Sequence, residues 1–130
     1  MNIVVFAHKE SGDSGRTLVE GISACHPSRP VHRFRSTSDL ESHLKTSGKR
    51  GGKEILILLA ESRERLKALL RFDALLEDRR LILVVPDEAP GTLSSAHRLF
   101  PRFVTPMADQ YDDLCSVIRR MMAGAGGFSL

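Results

Sequence analysis

Apolar residues gather in five short runs along the chain, separated by polar stretches whose remaining apolar residues recur at helical spacing. The two densest runs, 55–60 and 81–85, consist of Ile, Leu, Val and Ala without polar alternation. Strands read this way when helices cover both faces, as in a parallel sheet. Between them, residues 62 to about 78 read as a helix, so 53–87 predicts a β-α-β unit that the rest of the chain extends. That helix carries one stripe at Leu66, Leu69 and Leu70 and another at Phe72, Leu75 and Leu76, with Asp73 where the first should continue. One straight helix cannot bury both stripes on one narrow face. Either it breaks near residues 71–73, or Phe72, Leu75 and Leu76 offer a second apolar face to a protein partner or a second copy of the chain.

The same logic orders the remaining segments. Residues 2–7 form a first strand, and 8–15 a polar, glycine-containing loop in which Ser14 is the expected N-cap of a helix bearing Leu18, Val19, Ile22 and Cys25. That helix ends near His26-Pro27. Residues 31–36 read as a half-exposed strand whose charges suit a sheet edge. Thr37 or Ser38 is expected to cap a short helix with Leu40 and Leu44 on one face. Residues 46–53 hold three glycines but are followed by a strand, not a helix, which excludes a P-loop; they read as a connector. After the 86–91 turn, Thr92 is expected to cap a helix of about two turns with Leu93, Ala96, Leu99 and Phe100 apolar. The proline-flanked run 101–106 is placed at the other sheet edge. Residues 108–122 form the last helix, with Tyr111, Leu114, Cys115, Ile118, Met121 and Met122 on one face. Five strands thus alternate with five helices. Right-handed crossovers predict a three-layer (βα)5 flavodoxin-like fold, a parallel five-stranded sheet of order 2-1-3-4-5 with the most apolar strands central.

Composition narrows the function classes. The chain has 130 residues, enough for one domain over 1–123 with 124–130 as a frayed tail. Aromatic residues are 5% and Trp is absent, so the core must be aliphatic. The net charge of +3 is mild, and no basic stripe is interleaved with aromatics, which disfavours nucleic-acid binding. No apolar run reaches the roughly 20 residues of a membrane span, and the amino terminus lacks a signal-peptide pattern. The expected setting is the cytoplasm. Cys25 and Cys115 are expected to be small buried hydrophobes in a reducing compartment.

The five β-α repeats, the length and the rhythm of the carboxyl-terminal third resemble the receiver domain of bacterial response regulators, loosely and over nearly the whole chain. That rhythm is an apolar strand, a short helix containing Ala96, a strand ending in Thr105-Pro106 and an amphipathic last helix. The resemblance implies a metal-binding acidic pair after strand one, a phosphoryl-accepting Asp ending strand three, a Ser or Thr ending strand four, and a Lys before the Pro of strand five. Those positions hold Ala7 and His8, Ala60 followed by Glu61, Pro86 and Asp87, and Thr105. Without a carboxylate pair, the Mg²⁺ that neutralises a transferring phosphoryl group has no evident ligands. The expectation is a degenerate pseudo-receiver: a non-enzymatic signalling module without cofactor or metal, acting by protein contact. In the family the fourth helix, fifth strand and fifth helix commonly pair, which implies Arg98, Arg102, Tyr111 and Arg119 as contact residues.

A rival reading comes from Gly12-Asp13-Ser14-Gly15-Arg16-Thr17, which resembles the phosphate loop of flavodoxins. Ser14, Gly15, Arg16 and Thr17 would cradle the phosphate of a flavin or nucleotide at a helix amino terminus. No aromatic residue stands in the loops after strands three and four to sandwich a flavin ring. A third possibility is a metal site from His8, Glu10, Glu61 and Asp87, all starting loops at one sheet edge. Nucleophilic catalysis has no support, because no Ser sits in a nucleophile-elbow context.

Overall fold

The computed structural model describes residues 2–47 and 54–124. The 46–53 connector and the 124–130 tail lie almost wholly outside the described residues. The elements follow the order β1 (Asn2–Phe6), α1 (Asp13–Cys25), β2 (Val31–Phe34), α2 (Thr37–Thr46), β3 (Glu54–Leu59), α3 (Arg63–Leu70), α4 (Asp73–Leu76), β4 (Arg80–Val85), α5 (Pro90–His97), β5 (Phe103–Pro106) and α6 (Asp112–Gly124). A 3-10 turn, Lys9–Ser11, precedes α1.

All strand pairs are parallel and the sheet order is β2-β1-β3-β4-β5, the flavodoxin-like topology the sequence predicts. Strand alternation sorts side chains between two helical layers. Val4, Phe6, Leu56, Leu58, Leu81, Leu83 and Val85 pack with α2 to α5. Ile3, Val5, Ile55, Ile57, Leu59, Ile82 and Val84 pack with α1 and α6. β2 and β5 are the edges and are only partly buried, as their charges and prolines imply.

The over-wide helix resolves by breaking. α3 ends at Leu70, and Phe72 sits at φ −93°, ψ 12° before the one-turn α4. The break re-aims the second stripe into the core, leaving Phe72 3% and Leu76 2% exposed and Leu75 packed against them. The expected partner face at Phe72, Leu75 and Leu76 is corrected accordingly: these side chains belong to the core.

Several caps also differ from expectation. α1 begins one residue before Ser14, with Gly12 as its N-cap at φ 58°, a left-handed conformation that suits glycine. Ser36, not Thr37 or Ser38, caps α2 by accepting from the Asp39 amide at 3.1 Å. α5 starts at Pro90, whose fixed φ suits a first helical position, so Thr92 lies buried inside it.

Each layer has a clamp. Cys25 of α1 and Cys115 of α6 form a disulfide closing a sequence separation of 90 residues, with Cα atoms 6.1 Å apart. The expectation of free thiols is corrected; it overlooked that α1 and α6 lie side by side on one face. In the other layer Arg79, 4% exposed, donates to the carbonyls of Leu75 (2.7 Å) and Leu44 (2.9 Å) and to the Ser47 hydroxyl (3.2 Å). Its guanidinium lies 3.8 Å from Glu54, which also accepts from the His43 ring at 2.8 Å. One buried cation thus joins the ends of α2 and α4 to the start of β3. Burial lowers the Arg79 pKa and Glu54 partly offsets that.

Candidate functional site

In open parallel α/β sheets, ligands bind beyond the carboxyl ends of the strands. Here that edge is lined by Ala7, His8, Ala60, Glu61, Pro86, Asp87 and Thr105, the positions singled out from the sequence. Ala7 and Ala60 are fully buried at their strand ends, and Pro86, Asp87 and Thr105 are half-buried.

Charges dominate the rim, and they are paired. Arg65, in the first turn of α3, approaches Glu61 at 3.3 Å and Glu10 at 3.2 Å, joining the loops after β3 and β1. Glu61 and Arg65 stand four residues apart, within reach on a helix surface. Their side chains are 17% and 16% exposed, so this pair is screened less than an ordinary surface one. Arg63 meets Asp87 at 3.2 Å and joins the loops after β3 and β4. The Thr92 hydroxyl, the Ala89 amide and Arg63 together hold the Asp87 carboxyl below its ordinary pKa. His8 accepts from the Glu10 amide at 3.0 Å and so spends one ring nitrogen on capping the 3-10 turn.

Behind this rim, Arg33 of β2 donates two bonds to the Ala7 carbonyl, at 3.1 and 3.0 Å. Burial, with Arg35 nearby, lowers its pKa. Arg33 also explains Gly15. A Cβ there would stand 2.4 Å from the Ser11 hydroxyl, 2.8 Å from the Arg33 guanidinium and 3.1 Å from Ala7 Cβ. A Cβ there would have to displace these side chains, so the small residue serves close packing, which is a different role from opening the backbone to a phosphate. Ser14 and Thr17 are half-buried and line a cavity of about 300 Å³ with Asp13, Asp109 and Tyr111. Arg16 is exposed and pairs with Asp13. Two carboxylates, Asp13 and Asp109, border this cavity, and Arg16 is paired with the first of them.

The structure does not assemble His8, Glu10, Glu61 and Asp87 into a metal site. Glu10 and Glu61 share Arg65, Asp87 turns to Arg63, and among the described residues no three His, Cys, Asp or Glu side chains are placed to hold a metal ion. Among the expected contact residues, Arg98, Arg102 and Arg119 are exposed. Tyr111 is 6% exposed and its hydroxyl accepts from the Ala108 amide at 3.1 Å, so it is a core residue; burial raises its pKa. Sequence reasoning passed over Arg65 and Arg33. The Glu61-x-x-x-Arg65 spacing was a readable signal for the first; nothing local signals the second, because its acceptor lies 26 residues away.

No protein-family model, no curated protein and no solved structure matches the chain. Among the described residues, no helix is long and apolar enough to cross a membrane.

Proposed function

We propose that this chain is a non-enzymatic signalling module: a degenerate, receiver-like scaffold that works through protein contacts. The observation that supports it is Arg65 seated between Glu10 and Glu61. A phosphotransfer site of this architecture needs carboxylates free to bind a divalent cation beside an acceptor carboxylate. Here the strand ends offer Ala7 and Ala60, and the carboxylates of Glu10 and Glu61 in the loops beyond them are joined by a resident guanidinium. A fixed internal cation in that place suits a scaffold that holds one conformation without phosphoryl input. The proposed contact surface is the exposed basic set Arg98, Arg102 and Arg119, which fits an acidic protein partner.

Acetyl phosphate with Mg²⁺ tests this directly. Intact-mass analysis should find the chain unmodified; a stoichiometric, base-labile phosphoprotein would show that phosphotransfer survives and would end the proposal.

A further inference from the structure

The disulfide between α1 and α6 joins two cysteines in unlike places. Cys25 is the last residue of α1 and is half-buried, with exposed Ala24 and Pro27 around it. Cys115 lies in the first turn of α6 and is 3% exposed. His26, 8% exposed, packs on the inner side, where its ring hydrogen-bonds to the Cys115 backbone. One cysteine of the pair is therefore within reach of a reagent from solvent, and the other is shielded.

Thiol–disulfide exchange depends on which sulfur is accessible to attack and which leaves more readily as a thiolate. The helix ends bias the second choice. A negative charge on Cys25 would sit at the carboxyl end of α1, where the helix dipole opposes it. A negative charge on Cys115 would sit near the amino end of α6, where free amides and the dipole favour it. Arg119 stands one turn beyond Cys115, and the Arg29 amide folds back to the His26 carbonyl at 3.0 Å. Both arginines lie close enough to act on the His26 ring. Asp112 and Asp113 oppose Arg119 from the same helix, but all three are exposed, so water screens both signs. What remains is the difference between the two helix ends. The product is also provided for, because Cys115 Sγ lies 3.8 Å from the Gly21 carbonyl, an acceptor for a thiol hydrogen. Access and leaving-group charge thus point the same way.

We infer that the Cys25–Cys115 pair is a thiol-exchange site, opened by a low-molecular-weight thiol of the glutathione class. The incoming thiolate attacks Cys25 Sγ. A new sulfur–sulfur bond forms there as the bond to Cys115 breaks, and Cys115 leaves with the electron pair and takes a proton from water. A second thiolate then attacks the added sulfur, which frees Cys25 and ends as a small-molecule disulfide. Two electrons pass to the protein pair, and two small thiols are oxidised to one disulfide. Between the two steps Cys25 carries the adduct, and α1 is untied from α6. The inference stands apart from the proposed function, since neither the rim nor the receiver-like layout enters it.

The test exposes the full chain to excess glutathione while circular dichroism confirms that it stays folded. Acid quenching, alkylation of free thiols and peptide mapping by mass spectrometry then locate each group. The folded chain should open, with glutathione on Cys25 and the alkyl label on Cys115 in about tenfold excess over the reverse pattern, because helix ends and burial act in the same sense. Sulfite gives a second reading without any variant, since it leaves a sulfonate on the sulfur that it attacks. That mark should fall on Cys25 with the same preference. In urea, where helix ends and burial are gone, the preference should vanish. A folded chain whose disulfide resists both reagents and opens only on unfolding would make the bond a permanent staple and overturn the site. Marks shared equally by the two cysteines in the folded chain, or concentrated on Cys115, would overturn the direction of attack, as would a preference that persists in urea.

Discussion

The two helical layers cover the same sheet by different means. On one face, α1 and α6, of 13 residues each, lie side by side and are joined covalently through Cys25 and Cys115. On the other, α2, α3, α4 and α5 are shorter, and the ends of α2 and α4 are held by the buried Arg79 guanidinium. Two long helices need one tie, whatever its chemistry. Four short ones leave carbonyls uncovered at their ends, and a five-donor cation can serve several at once. A cavity of about 300 Å³ borders each layer, but the exposed Phe100 belongs to the segmented one.

The contrast is broken most severely by removing the covalent tie. Cys25→Ser with Cys115→Ser, or reduction of the wild type, should cost roughly 4 kcal/mol by loop-closure entropy, read as a lower denaturant midpoint with little loss at the Arg79 clamp. Arg79→Met should cost about 3 kcal/mol, because it strands the carbonyls of Leu44 and Leu75 in a buried place. Urea melts of the two variants and their combination should be nearly additive if the layers are independent; strong coupling would show that the sheet transmits one clamp to the other.

Smaller changes sharpen the same comparison. Phe100→Gly should stabilise the fold by about 1 kcal/mol through relief of the left-handed backbone at that residue, φ 53°, measured by thermal melts. Arg65→Met should cost roughly 0.5–1 kcal/mol, since its pairs are at the surface rim, and the cost should shrink in high salt. The smallest effect belongs to His26, which is 8% exposed with Nε2 unpartnered. Burial lowers its pKa; the Cys115 backbone partly opposes this, and Arg119 and Arg29 add to the lowering. The unfolded chain then binds more protons, so stability should fall as pH drops below about 6.5 and level off beneath the folded pKa. His26→Gln should flatten that slope in chemical melts between pH 5 and 8.

The fold was legible because strands 55–60 and 81–85 declare themselves by composition alone, and parallel topology follows from alternation with helices. The broken helix was legible as a choice: Asp73 interrupts the stripe, and the chain took the option that buries Phe72 and Leu76. Caps were misplaced by one to three residues because Ser14, Thr37 and Thr92 are all suitable residue types, and only backbone geometry selects among neighbours. The rim was half legible. Its strand-end positions follow from where the strands stop and the Arg65–Glu61 pair from a four-residue spacing, while the Arg65–Glu10 pair and the bonds from Arg33 join segments 55 and 26 residues apart in sequence. The disulfide needs the same knowledge: nothing near Cys25 announces Cys115.

α4 has one more consequence. Four residues fall far below the length at which a helix persists by itself in water. It stays wound because Phe72 and Leu76 are held in the core and because the Arg79 guanidinium seizes the Leu75 carbonyl. Its stability is borrowed, so this turn belongs among the cheapest parts of the molecule to open, with amides that trade hydrogen for deuterium ahead of those in β4. Breaking the helix sealed the core and left a soft place beside the most exposed aromatic side chain on the described surface.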